Sequence, residues 1–361
     1  MPKPIVKSIS LTNVAIFAVL TVAYFIGARL GLRLALVQPF ATPIWLPAGG
    51  AIAAFVVFGY SFWPAVLIGS FLAHITSLGF VGTSFLVPIG ATVEGLVGAS
   101  LVNRFAHGVK AFDTAKGVFR FAVFTCICAP STNAIVGVGI DHFSGHARLS
   151  DSVLKVLSWW LSHGIGALVI TPFLILLFGA PHHRLNLREF AELLILLVGL
   201  IFVCLLVFGP LSHSLNKTQI VRVWVCVPFL VWAAFRFCPL EAAGATLILF
   251  GSAIWGTLHG YGSFVSNNPT ISLVLLDTFV GVIGTTTLVL AAMVVERRRN
   301  EQDLLAMQTL LRAEVEWNRR ELANTIQALD VEVSGHARTK KSLQHNQEQL
   351  RLITKMKEPR Q

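Results

Sequence analysis

The sequence predicts an all-α protein in two parts, a polytopic helical bundle built for lipid followed by a soluble helical stalk. Three observations predict it. Only 13% of the 361 residues are charged and 55% are hydrophobic, whereas a water-soluble domain carries about 25% charged residues; the mean hydropathy is +0.71. The charges are also unevenly placed. Residues 1–295 hold 15 Lys/Arg and 8 Asp/Glu, and the much shorter segment 296–361 holds 13 and 10. Finally, the apolar residues of the first part fall in long runs separated by short polar breaks. The boundary lies near Glu296-Arg297-Arg298-Arg299.

Crossing a bilayer takes roughly 20 apolar residues, because in hydrocarbon every backbone polar group must be satisfied within its own helix. Segments 11–37, 62–79, 84–106, 117–140, 152–179, 188–210 and 270–295 qualify, as does 239–258 behind Cys238-Pro239. Stretches 47–60 and 220–235 are short. Ten transmembrane helices are expected, or eight if the short stretches are re-entrant. The first run is too long for a signal-peptide core and lacks a small-residue cleavage site. In the ten-helix arrangement Lys3, Lys7, Arg104, Lys110, Lys116, Arg120, Arg184, Arg188, Arg236 and Arg297–Arg299 share one side. Arg33, Arg148, Lys155, Lys217 and Arg222 occupy the other. Positive charge collects on the cytoplasmic face, so both termini are expected there. The net charge of +10 then belongs to loops against anionic lipid, and no nucleic-acid partner is expected.

Segment 296–334 reads as a signalling helix. No Gly or Pro interrupts Val295–Ser334, and Leu311, Val315, Leu322 and Leu329 fall on a heptad seam with Asn318 and Thr325 at the intervening core positions. A seam softened by polar residues suits a two-stranded coiled coil that can change register, so a homodimer is expected. Gly335 predicts a break, and 335–361 a second short helix with Leu343, Leu350 and Ile353 as its stripe. A segment this short cannot bury a core of its own.

Several stretches carry a family resemblance. YFIGARLGLRLAL from Tyr24, ATPIWLPAGGAIAAFVVFGY from Ala41 and FWPAVLIGSFLA from Phe62 resemble the opening of bacterial membrane-associated sensor domains of the MASE type-one family. IGATVEGLVGASLVNRF (Ile89–Phe105), WWLSHGIGALVITPFLIL (Trp159–Leu176) and VPFLVWAAFRFCPLEAAGATL (Val227–Leu247) fit as well, so the resemblance covers about residues 12–295. It implies a bacterial inner-membrane sensor that sits N-terminal to a histidine kinase or cyclic-di-GMP enzyme, as in two-component signalling. Arg338–Ile353 looks like the linker into such an output module, and the chain stops eight residues later, so it reads as the input half of a longer receptor. Two positions depart from the family pattern. Ser162-His163 stands where Gly-Asp is usual, and Ala91 where Asn is usual.

Ionisable groups at membrane depth cost at least about 2.5–3.5 kcal/mol on insertion scales, so each is a functional candidate. Glu94, among small residues in GATVEGLVGAS, is either a ligand or coupling carboxylate or half of a structural pair with Arg236 or a histidine. His163 is a pocket candidate in a helix interrupted by Pro172. Trp159 and Trp160 belong to that pocket or to the aromatic belt at the headgroups. Pro43, Trp45 and Pro47 prevent a continuous helix and line either a pocket open to the outside or a surface turn. Arg236 is expected to pair with Glu241. Asp277 lies one or two turns into the last membrane helix, well placed for coupling to the stalk. His74 and His259 are expected to be solvated near helix ends.

Catalytic chemistry is not expected. The chain has no phosphate-binding loop, zinc signature or nucleophile elbow, and His336 lacks the acidic neighbour of a phosphoacceptor histidine. Five cysteines, all in apolar segments, do not make a disulfide framework. Cys126 and Cys128 point to nearly opposite helix faces, so no metal site is expected, and the cofactor stays unknown. The leading expectation is a sensor that perceives a small molecule or membrane signal and passes it through the dimeric stalk. A secondary transporter, favoured by broken helices, is the alternative, and a dimerising scaffold a third.

Overall fold

The computed structural model describes residues 11–34, 42–79, 83–143, 149–181, 185–213 and 223–356. Two compact units emerge, Met1–Arg297 and Arg298–Gln361, close to the boundary read from charge. Among the described residues of the first unit, all regular secondary structure is helical. Its helices are α1 (Leu11–Arg33), α2 (Leu46–Val57), α3 (Trp63–Leu78), α4 (Thr83–Phe105), α5 (Ala115–Val123), α6 (Ala129–Phe143), α7 (Leu149–Gly179), α8 (Leu187–Phe208), α9 (Val227–Arg236), α10 (Pro239–Leu258) and the start of α11 (Pro269–Met356). Among the described residues seven helical segments are long and apolar enough to cross a membrane, and α2 and the stretch Trp224–Arg236 are shorter apolar helices.

Prolines punctuate this part. α2, α3, α9 and α10 each carry one in the first turn, where the missing amide has no intrahelical acceptor to lose. α8 starts with a capping box in which Asn186 and Glu189 satisfy each other's backbone amides, relieving two of the orphan donors of a helix start. Segments α5 and α6 are one apolar run, Ala115–Gly137, with a single π-helical turn at Phe124–Cys128. Such a bulge widens the helix locally and is often found at functional sites.

Packing centres on α2 and α7. α2 lies against α1, α4 and α7, while α4 also contacts α3 and α6, and α7 also contacts α6 and α10. Small residues make this possible, as expected where helix association relies on close van der Waals fit. Ala28, Ala48, Ala51 and Ala99 share one buried cluster with Tyr24, Trp45 and Phe55. A larger cluster holds Phe121, Phe208, Phe250, Leu196 and Leu249 with the membrane part of α11, including Leu276, Val280 and Ile283.

The second unit is the rest of α11. The predicted break at Gly335 is absent, and the helix runs through it to Met356. One glycine in a helix interior costs only about 1 kcal/mol, and no proline follows to stop the helix before Met356. Leu311, Val315, Leu322 and Leu329 are all more than half exposed in the single chain. The final residues of the expected linker, 357–361, lie outside the described residues.

Candidate functional site

Four of the residues singled out by sequence converge on one point. Glu94 of α4 and His163 of α7 are 69 positions apart in sequence and meet at 2.7 Å, Oε2 to Nδ1. Both are buried. Trp159, one turn earlier on α7, donates its indole N–H to His163 Nε2 at 2.6 Å. Trp45 stacks on the same imidazole, with ring centroids 5.6 Å apart and planes 18° from parallel. Sequence reasoning left the partner of Glu94 open between Arg236 and a histidine, and the structure selects His163.

The hydrogen bonds fix the protonation pattern. An indole N–H can only donate, so His163 Nε2 must accept, and a neutral ring then carries its proton on Nδ1. Nδ1–H points at Glu94 Oε2, which also accepts from Asn133 Nδ2 at 3.0 Å. Asn133 Nδ2 lies 3.4 Å from His163 Nδ1, two donors converging on one oxygen. Glu94 thus presents Oε2 as an acceptor to two donors. Its Oε1 and the Oδ1 of Asn133 are buried with no hydrogen-bond partner, a costly arrangement in a low-dielectric interior.

A cavity of about 30 Å³ opens beside this group, lined by Leu32, Thr42, Trp45, His74, Val87, Ala91, Asn133, Trp159, Ser162 and His163. That is room for one or two water-sized groups. Its walls come from α1, α3, α4, α6, α7 and the residues before α2, so it sits at the hub of the bundle. The irregular backbone before α2 is held in place. Trp45 N–H donates to the Ser162 carbonyl at 3.0 Å, and the Thr42 and Ser162 hydroxyls share a bond of 2.9 Å. Non-helical backbone at membrane depth requires such cover. Glycines seat the rings: a Cβ at Gly137 would lie 2.7 Å from Trp159, and one at Gly31 would lie 3.0 Å from Trp45.

Other predicted residues fall elsewhere. Pro47 is buried in the first turn of α2 but does not line the cavity. Trp160 turns away and donates to the Ile127 carbonyl and Ser131 hydroxyl at 3.2 and 3.1 Å. Arg236 does not pair with Glu241. It reaches α8, with Nε 2.8 Å from Glu192 and Nη1 3.9 Å from Glu189. Glu241 instead accepts from the Cys238 amide at the start of α10, because a glutamate at the third helical position can reach back to the N-cap. His74 is buried, not solvated; its Nδ1 lies 2.8 Å from the Ser70 carbonyl. His259 is exposed as expected and bonds the Trp255 carbonyl. Asp277 is buried in α11, away from the cavity, with Oδ1 unpartnered.

Sequence reasoning missed Asn133, Thr42 and the cavity role of His74. Asn133 carried a signal, since an amide inside the apolar run 117–140 needs a partner. Thr42 carried none, because only the fold brings it to Ser162.

Fold and site define a class, a polytopic helical membrane protein with a buried carboxylate–imidazole–indole chain at the hub of its helices. The family model MASE1 matches residues 16–298, and the chain belongs to this family of membrane-associated sensor domains. No curated protein and no solved structure matches the chain.

Proposed function

We propose that this chain is the signal-input module of a bacterial inner-membrane receptor, with both termini cytoplasmic and its signal received at the Glu94–His163 cavity. The observation that carries this reading is the buried, incompletely hydrogen-bonded Glu94–His163–Asn133 group beside a small cavity between the helices. A ligand there shifts a conformational equilibrium only if it binds one arrangement better than another, and unpaired buried acceptors supply that difference. α7 offers the physical link. His163 faces the cavity, and two residues on, Ile165 meets α11, where a Cβ at Gly281 would touch it at 3.4 Å. α11 then runs without interruption to Met356, so its rotation or sliding would be carried along one helix. The chain itself performs no catalysis in this scheme and drives a kinase or cyclase as output.

Two experiments test the proposal. With a diguanylate cyclase fused after Gln361, Glu94→Ala and His163→Ala are each expected to change its activity several-fold in membranes. Activity equal to the parent fusion in both would remove the input role of the cavity. The exposed seam supports a parallel homodimer. Val315→Cys or Leu322→Cys in a cysteine-free background is expected to give a symmetric crosslinked dimer in membranes, whereas a cysteine at the neighbouring position Glu316 gives little. Equal crosslinking at all three positions would remove the coiled-coil claim.

A further inference from the structure

Trp160 turns away from the cavity, and its bonds lead to a second element. The π-helical turn Phe124–Cys128 joins α5 to α6, and it is pressed against the turn of α7 that bears His163. The Trp160 indole N–H reaches the Ile127 carbonyl at 3.2 Å and the Ser131 hydroxyl at 3.1 Å. The Cys126 thiol lies 3.5 Å from the Gly164 carbonyl, and a Cβ at Gly164 would stand only 2.9 Å from the Cys126 carbonyl oxygen. A little further along α6, Asn133 is bonded to Glu94 and approaches His163. The π turn is therefore held by the same stretch of α7, and continues into the same helix α6, that build the Glu94–His163 group.

The far end of this segment touches α11. The Ala115 amide, first in α5, donates to Glu296 Oε2 at 3.3 Å, beside the Thr114 hydroxyl that caps the Gly117 amide. The first amides of a helix have no acceptor within it, so a side chain from another helix can serve one. Glu296 stands on α11 at the edge of the membrane unit, which ends at Arg297. A π turn closes its bonds one residue further along than an α turn and so holds an extra residue. Tightening it to α spacing turns α5 relative to α6 by about 100°, one residue's share of a helical turn. The Ala115 amide then leaves Glu296. We propose that the π turn and the Ala115–Glu296 bond form a latch that passes a change at the Glu94–His163–Asn133 group to α11, alongside the direct contact of α7 with α11. The proposal rests on the cavity as the input site.

The test uses the full chain fused to a diguanylate cyclase, in membranes. Glu296→Ala is expected to change output several-fold, whereas Glu296→Gln, whose amide oxygen still accepts, is expected to stay close to the parent. Trp160→Phe keeps a ring but removes the N–H that holds the π turn. It is expected to change output several-fold in the parent and to have no effect in Glu296→Ala. In the purified chain, hydrogen exchange at the Ala115 amide is expected to be about tenfold faster in Glu296→Ala, the loss of one hydrogen bond. Protection of α7 is expected to stay unchanged, which separates a released latch from an unfolded variant. Unchanged output in Glu296→Ala, an equal change in Glu296→Gln, a Trp160→Phe effect undiminished by Glu296→Ala, or unaltered exchange at Ala115 would each overturn the proposal. The cavity variants keep the two readings apart. Output changed by Glu94→Ala and His163→Ala but not by Glu296→Ala would leave the input site standing and remove the latch. Output changed by Glu296→Ala alone would remove the cavity as the source of the signal.

Discussion

His163→Ala is expected to lower the stability of the membrane unit by about 2–6 kcal/mol, since it strands two buried polar groups, Glu94 Oε2 and the Trp159 indole N–H, at about 1–3 kcal/mol each. In detergent this is a fall on the order of 10 °C in the midpoint of thermal unfolding followed by tryptophan fluorescence. The size follows from what the imidazole does. Among the described residues it is one of two donors to Glu94 Oε2, and it is also the acceptor for the Trp159 indole. Deleting it leaves a carboxylate with Asn133 alone and removes the ring on which Trp45 stacks. His163→Gln keeps one donor and one acceptor on a side chain of similar reach, so it should recover most of the loss. The double variant Glu94→Gln/His163→Ala should be less destabilised than the sum of the single changes, since the groups share a bond. A midpoint for His163→Ala within about 1 °C of the parent would mean that the pair is not buried and bonded as described.

Gly166→Ala should be nearly as damaging, for a different reason. A Cβ at Gly166 would run into the carbonyl oxygen of Trp45, and one at Gly49 would run into the carbonyl of Gly166. These are backbone atoms, which cannot rotate aside as a side chain can. The methyl group fits only if α2 moves off α7. That separation breaks the Trp45–Ser162 backbone bond of 3.0 Å and strains the Thr171 hydroxyl's 3.1 Å bond to the Gly49 carbonyl. Overpacking of this kind costs about 1–3 kcal/mol, with the broken bonds in addition. Gly251→Ala in α10 is the matched control, because a Cβ there meets nothing within 4 Å. It is expected to be neutral or stabilising by up to about 1 kcal/mol. Equal unfolding midpoints for the two variants would contradict the close approach of α2 and α7.

These two predictions separate two kinds of information. Glu94 and His163 stood out in the sequence because hydrocarbon makes every ionisable group expensive, so their presence alone demanded an account. Their mutual contact did not stand out. The choice of His163 over Arg236 as the partner of Glu94 depended on which helices pack side by side. Arg236, at the end of α9, faces Glu192 on α8, and the nearby Glu241 is drawn instead to an unsatisfied amide at its own helix start. Short spacing in sequence suggested the wrong partner because helix capping competes for the same carboxylate. His74 was misplaced for a related reason. Its position near a helix end suggested water, but α3 packs on α1 and α4 and covers it.

Local rules carried the chain-level features. Apolar run length and the partition of charge determined the membrane unit, its helical class and the boundary that falls at Arg297, because lipid leaves the backbone few alternatives. The prolines around Trp45 determined that no helix would run through that segment. Gly335 shows the limit of such rules, since a single glycine is too weak a signal to stop a helix that its neighbours favour. The tertiary structure alone decided that the segment before α2 folds inward against Ser162 and brings Trp45 over His163. It also decided that Asn133, unremarked in its own helix, and His74, expected in water, would line one cavity beside the Glu94–His163 pair. The physical reason is that burial and hydrogen bonding between helices depend on which faces meet, and the period of a single helix does not specify its neighbours.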